Sequence, residues 1–586
     1  MKQLLAELNE RLLTKPEELD LEGLLKFSHK LLNLLCRFGE SLVGAYALIA
    51  ELQGDLRKAK NLPAKPADKA SSPKAAPPAT GPKPDKKPGK DADKRSDHSS
   101  NSEREQREPP KPRQKRDKNA VLLPVSETVI LGIPADQLPA GAVPHGYEDR
   151  LVQDLSVLVK VICYRRMRYR VPGSGKSFLA PLPPGTFGAF GPGITVHSNA
   201  LVHGFGMSQR AVHAYFQDLG ISISAGKISH LVTQGTEAFR QEFEEAVREA
   251  WRLCPWRGLD HTSTKVKGKS HCANLFVDPL CTVFQTVGSG SRVEVVRALR
   301  LGKPLEYRLD EQALSHMKAW RVPGGVLDRL AAMKLEPEHT EETAFVKWLD
   351  LRFPTLADKH IGNIRAACAL SATRVDPECR LSRCLLTDQA SVFNGLADEH
   401  ANCWVHDGRH YQKLSPIHPG DQLALKKFKK RYWDYYHELT KYRENPTQAE
   451  ADRLRKAFEK LASTKSRYAG LQECINRTSG NRERLLLVLK HPELPLNTNA
   501  VELAARARVR RRDVSFGPQS ARGCRAWDRM QGLKMTLGQH GIRFTEFLQD
   551  RVHEVRKIPD LIAVVRRKAA ELEIGKSWEP GWVPPG

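Results

Sequence analysis

Residues 63–118 contain no Val, Ile, Leu, Met, Phe, Tyr, Trp or Cys and are rich in Pro, Lys, Ser and Asp. Nothing there can offset the entropy of ordering a backbone, so the stretch is expected to be a disordered basic linker. Its end, "KPRQKRDK", suits non-specific contact with phosphates, although a solvated charge run is the simpler reading. The linker divides the 586-residue chain into a short N-terminal piece and a long remainder that must hold the packed cores. At this length more than one domain is expected.

In the N-terminal piece, residues 1–62, apolar side chains recur in steps of three and four from Leu21 to Leu56. That heptad seam predicts a helix, either a self-associating coiled coil or an amphipathic helix packed on its own domain. Gly39, Gly44 and Gly54 weaken a long continuous helix. The first twenty residues have no signal-peptide pattern, and no apolar run reaches membrane-spanning length, so a cytoplasmic protein with no membrane partner is expected.

A formal net charge of +25, from 93 Lys and Arg against 68 Asp and Glu, points to a polyanionic partner. The excess recurs along the chain, which favours nucleic acid over a membrane surface. The eleven cysteines are scattered with no Cys-x-x-Cys pair, against both a zinc ribbon and a disulfide framework.

Order resumes near residue 119. Residues 119–190 mix β-branched and aromatic residues with a Gly-rich turn and predict a small antiparallel unit. Residues 191–250 read as short helices, with Ser208 and Ser224 as N-caps and "HGFG" and "DLG" as breaks. The spacing matches a helix-turn-helix, which would lay Ser208, Gln209 and Arg210 against a DNA major groove; plain helical packing is the alternative. From residue 254 three short strands, "RGLDHTSTKV", "HCANLFVD" and "CTVFQTV", precede a helix, further helices over 310–375, and a strand "CLLT" that ends at Asp388 and should lead into a helix. This is a mixed α/β core.

Three carboxylates stand out. Asp260 lies inside a strand, where an acid is costly to bury without a cation or several hydrogen bonds. Asp388 lies at the carboxyl end of a strand, where open α/β sheets place ligand sites. Glu502 precedes a run of arginines, Arg506, Arg508, Arg510, Arg511 and Arg512. Singly, each acid is more often a turn or cap residue, and Glu502 stands three residues after Asn499, the spacing of a capping box.

Together, "LDHTSTKVKGK", "LLTDQASVFNGLADEHANCWVHDGRHYQKL" and "LPLNTNAVELAARARVRRRDVSF" resemble the three catalytic blocks of bacterial DDE transposases of the insertion-sequence-66 type. The similarity runs over most of residues 120–560. It implies a ribonuclease-H-like mixed sheet interrupted by an all-helical insertion, and makes Asp260, Asp388 and Glu502 the catalytic, metal-holding triad. On that division the core occupies residues 251–402 and 491–555, the insertion 403–490 and a C-terminal tail 556–586. Cys403 and His406 mark the mouth of the insertion.

Cutting and joining a phosphodiester needs an activated attacking oxygen and a stabilised leaving oxygen, which two divalent cations can serve together. Carboxylate ligands select Mg2+ or Mn2+, with Asp260 as the bridging ligand. No zinc is expected, because Cys403, His406 and His410 have no evident fourth ligand. Around Lys426 and Lys430, Phe428, Tyr432 and Tyr436 form a packing stripe; the lysines off it either track a phosphate backbone or are a solvated face.

The resemblance further implies transposon ends and target DNA as partners, a homodimer or higher oligomer, accessory transposition proteins and nucleoid association. The chain departs from the commoner pattern in lacking paired cysteines before the helix-turn-helix, and in having Thr498 and His261 where a second Asn and an acid are usual. A metal-dependent nuclease that does not join strands, and a domesticated DNA-binding protein that has lost catalysis, remain open readings.

Overall fold

A computed structural model describes residues 125–586, apart from 135–136, 140, 143–145, 171, 334, 336–339, 380 and 586. The heptad seam and the linker lie outside the described residues. The chain divides at Gln153, and every described strand and helix belongs to the second unit, Asp154–Gly586. Among the described residues no helix is long and apolar enough to cross a membrane.

The expected small β unit is a single hairpin, β1 (Arg168–Arg170) with β2 (Ser177–Leu179), exposed along both strands. Three helices follow. Pro192–Asn199 runs on through a π-helical turn, Ala200–Gly204, and is followed by Gln209–Asp218 and Ala225–Thr233. Ser208 and Ser224 cap the second and third helices, each accepting a hydrogen bond of 3.1 Å from the third residue on. Val212, Phe216, Ile228 and Leu231 close a small core between them. The next helix, Arg240–Leu253, packs Phe243, Val247 and Trp251 into the main core, so the expected division at residue 250 separates it from the sheet it serves.

That sheet has the order β5 (Thr282–Val287), β4 (Lys269–Val277), β3 (Trp256–Val266), β8 (Cys384–Thr387), β9 (Glu399–Asn402). Strands β3 (Trp256–Val266), β4 (Lys269–Val277) and β5 (Thr282–Val287) are antiparallel, as the three apolar runs predict. The β3–β4 turn has Lys267 at φ 49° and Gly268 at φ 75°, the pair of positive φ values that a two-residue hairpin loop requires. Two short strands, β6 (Glu306–Tyr307) and β7 (Thr340–Glu341), pair outside the sheet, and helices fill most of residues 311–375.

Strand β8 (Cys384–Thr387) joins β3 in parallel, and β9 (Glu399–Asn402) joins β8 in parallel. The helix expected after Asp388 is absent: a single 3-10 turn, Ser391–Phe393, makes the crossover. Asn394 and Gly395, the latter at φ 80°, stop the turn before it can lengthen.

The insertion builds a core of its own. Helices Trp404–Gln412, Pro419–Glu444, Gln448–Ala462 and Ala469–Gly480 bury Trp404, Phe428, Tyr432, Leu454 and Phe458 together. The aromatic stripe is wider than its four-residue spacing suggests: Leu425, Tyr435, Leu439 and Tyr442 are also buried, and Tyr436 packs at the edge. The last segment is no loose tail. Helix Leu561–Glu571 buries Leu561 and Val565 in the main core, and Trp578 joins them.

Candidate active site

The register of β3 and β8 sets Gly258 opposite Leu386. Two residues further along, Asp260 and Asp388 are therefore neighbours on one face of the sheet. Across the antiparallel ladder that face continues through Leu275 and Phe284. It is covered by helix Asn499–Ser515, whose Val501 and Ala504 join Leu275, Val277 and Phe284 in one cluster.

The helix lies along β3. A Cβ on Gly258 would stand 2.5 Å from the Val501 side chain, so only glycine lets the helix approach there. Arg512 donates to the Ser263 carbonyl at 2.5 Å, and beyond the helix the Lys267 amide donates to the Pro518 carbonyl at 2.9 Å. Residues 501–512 rise about 16 Å as a helix and residues 258–263 about 17 Å as a strand, so both ends of the contact stay in step. Glu502 is in the first turn of this helix, beside the two aspartates.

Electrostatics record the same convergence. The Asp260 carboxyl is raised to about 6, mainly by burial and further by the negative charges of Asp388 and Glu502, against a lowering hydrogen bond from the His261 amide. That bond is 2.7 Å, and Asp388 likewise accepts from the Ala390 amide at 3.2 Å. Among the described residues no three His, Cys, Asp or Glu side chains form a ready-made chelating group.

Glu502 is held by cations from its own helix and from the insertion. Arg409 donates to both carboxylate oxygens at 3.0 and 3.3 Å, and Arg506, one turn along, is 3.7 Å away. Arg409 also donates to His406 Nε2 at 2.8 Å, which leaves His406 Nδ1 to carry the proton toward the Thr498 hydroxyl at 3.3 Å. Burial and the Arg409 charge lower the His406 pKa, in keeping with that neutral form. Cys403 caps the helix bearing both residues, its sulfur accepting from the His406 amide at 3.5 Å.

Several sequence expectations need correction. Asn499 does not cap the Glu502 helix; Thr498 stands at the cap, its side chain making no bond to the helix's first amides, and the Asn499 amide donates to Asn497 at 3.1 Å. The Glu502 carboxylate is drawn to Arg409, so no capping box forms.

Nor do the five arginines present one phosphate-binding face. Arg508 is fully buried, stacked 3.8 Å over Trp527 and bonded to Asp528 at 2.5 Å, Thr286 at 2.6 Å and Gln531 at 3.1 Å. Arg511 donates to His203 at 2.8 Å and Arg512 to Ser263, whereas Arg510 is exposed. A helix laid on a sheet must turn one side inward, and five arginines in seven positions cannot all avoid it.

Gln209, Arg210, Lys426 and Lys430 are exposed on the three-helix unit and the insertion, and Ser208 is occupied as a cap. Lys430 pairs with Asp434 at 3.4 Å.

Sequence reading missed Arg409 and Asp407. Asp407 is buried and accepts from Thr478, Tyr432 and Gln389 at 2.6, 3.1 and 2.9 Å. It thereby ties the insertion to the residue after Asp388, and Gln389 holds φ 46°, a strained value for a non-glycine residue. The available signal was their place in "CWVHDGRH", where Arg409 follows His406 by three residues and so shares its helix face.

Residues 378–526 match the model of the transposase IS66 family, a stretch that includes Asp388, the insertion and Glu502. This supports an IS66-type transposase domain there. The chain is also 28% identical over 290 residues to "Uncharacterized protein y4jO" of Sinorhizobium fredii (strain NBRC 101917 / NGR234), covering 49% of this chain and 89% of that one. No solved structure matches.

Proposed function

We propose that the chain is a DNA transposase that cleaves a DNA strand and joins the freed end to a target, with Asp260, Asp388 and Glu502 as its catalytic acids. The carrying observation is the β3–β8 register, Gly258 opposite Leu386, which brings Asp260 near Asp388 just past the end of β8, on the face that the Glu502 helix covers, within a chain whose residues 378–526 resemble IS66 transposases.

The donor set suits a hard divalent cation, Mg2+ or Mn2+, two ions per site. Asp260 and Asp388 face it as oxygen ligands whose mutual repulsion a cation would relieve; Glu502 would exchange Arg409 for it. When bound, such ions lower the pKa of a bound water and stabilise the leaving oxygen. In this reading Asp260 would hold the metal together with Asp388 and Glu502.

The protein's own part is positional. The β3–β8 register fixes the spacing of the aspartates, Asp407 and Gln389 fix the turn after Asp388, and the helix seated on Gly258 fixes Glu502. Water attack on phosphorus breaks the bond to the 3′ oxygen, and the resulting 3′-hydroxyl attacks a phosphorus of the target strand in turn, displacing the target's own 3′ oxygen, which leaves as a hydroxyl. DNA contacts would come from Arg506, Arg510 and Arg512, from Gln209 and Arg210 beside Ser208, and from Lys426 and Lys430. A homodimer or higher oligomer, accessory proteins and nucleoid association follow from the same reading.

The test is cleavage and joining of labelled candidate transposon ends in Mg2+ or Mn2+. Asp388→Asn should abolish both steps and leave DNA binding intact. A variant that cuts and joins as the parent does would overturn the site, and cleavage without joining in the parent would reduce the protein to a nuclease.

A further inference from the structure

A cavity of about 820 Å³ is lined by none of the three acids. It opens beside β5, the sheet's edge strand, between helices Arg240–Leu253 and Ala521–Gln539. Its walls carry two basic rows. On one helix Arg522, Arg525 and Arg529 fall at i, i+3 and i+7, and on the other Arg240 and Arg248 flank Glu244.

Glu244 faces three arginines, with Arg240 at 3.1 Å and Arg248 and Arg529 each at 3.8 Å. The other acid lining the cavity, Asp528, is taken by buried Arg508. Arg522 and Arg525 are exposed and form no ion pair among the described residues.

Each row extends about 10 Å or more along its helix, longer than one phosphate group spans. A single small anion could contact only part of either row. Exposed guanidiniums such as those of Arg522 and Arg525 are suited to charge-assisted contact with successive phosphates.

We propose that this cleft is a second nucleic-acid site that grips the phosphodiester backbone of duplex DNA away from the reacting bond. The proposal deepens, and rests on, the reading of the chain as a DNA-processing enzyme. A backbone contact here carries no sequence information; it adds affinity and fixes the path of DNA beyond the catalytic face.

The test uses the full chain and a random-sequence duplex without transposon ends, with affinity measured against salt. The double variant Arg522→Ala/Arg525→Ala should bind at least about tenfold more weakly, with the slope of log K against log salt reduced by about 1.8 for two lost phosphate contacts. Glu244→Gln should bind more tightly than the parent. Unchanged affinity and slope in the double variant would overturn the proposal, as would a parent that binds no duplex. A loss equally large in Arg522→Lys/Arg525→Lys would also overturn it, because lysine preserves the charge. Cleavage of transposon ends by the parent separates the two readings. A parent that cuts, with a double variant that binds normally, removes the cleft alone. A parent that never cuts, with a double variant that loses binding, removes the catalytic reading and leaves the cleft.

Discussion

Arg409 and Arg508 carry the same guanidinium to opposite tasks. Arg508 meets Asp528, Thr286 and Gln531 under full burial and fastens the Glu502 helix to β5. Arg409 meets Glu502 across elements far apart in sequence, where solvent still reaches both side chains. It lies closer to Glu502, at 3.0 Å, than Arg506 does at 3.7 Å. Arg409→Gln should therefore lower the melting temperature in chelator and tighten Mn2+ binding several-fold in a calorimetric titration, since a competing cation is gone. Unchanged Mn2+ affinity would remove Glu502 from the metal site.

His203 is a buried residue whose protonation bears on stability. Burial and the charge of Arg511 hold its pKa down to about 3, while its two ring nitrogens are engaged by Arg511 and the Val232 carbonyl, each at 2.8 Å. The unfolded chain binds this proton at higher pH than the folded one does. The neutral histidine's stabilisation is therefore complete above about 6.5 and is lost as pH falls toward about 3. His203→Gln should flatten the acid side of a melting-temperature profile; a slope identical to the parent's would assign acid sensitivity elsewhere.

At the scale of elements, the site depends on how closely the helix Asn499–Ser515 lies on β3. Gly258→Ala would drive a methyl group into Val501. It should cost about 1–3 kcal/mol of stability as overpacking does, and displacement of Glu502 by about 1 Å should reduce strand cleavage on the order of a hundredfold. Denaturant unfolding and cleavage assays on one preparation would separate the two effects; full activity would mean that the helix position does not govern the chemistry.

Strands β3, β4, β5 and β8 are legible as apolar runs, and the Ser208 and Ser224 caps as polar residues before helices. Strand β9 is not legible. "EHAN" lacks apolar alternation, and its place comes from parallel pairing to β8. The wrong helix after Asp388 has the same origin: composition permits one, but the short crossover to β9 does not.

On the scale of the whole molecule, the C-terminal segment is structural. Trp578 stacks on His491 with ring centroids 3.5 Å apart, and the Arg383 guanidinium lies 5.3 Å from its ring. It thus joins the chain's end to the loop that leads from the insertion back to the Glu502 helix. Trp578→Ala should cost about 3–5 kcal/mol, read as a lower unfolding midpoint, with the activity per folded molecule retained. A midpoint equal to the parent's would return residues 556–586 to the status of a tail.

Composition and local spacing fix the absence of large apolar side chains from residues 63–118, the strand and helix periods of the core, the excess of positive charge and the three acid-bearing blocks, all of which can be read without the fold. Tertiary structure decided which side chains meet. It set Asp260 beside Asp388 through a parallel register, turned Arg508 inward and Arg510 outward on one helix, gave Glu502 to Arg409 instead of to a helix cap, and made a basic cleft from helices nearly three hundred residues apart. None of these is a property of local spacing. Each follows from which face of an element the packed core hides, and that is fixed only when the elements are brought together.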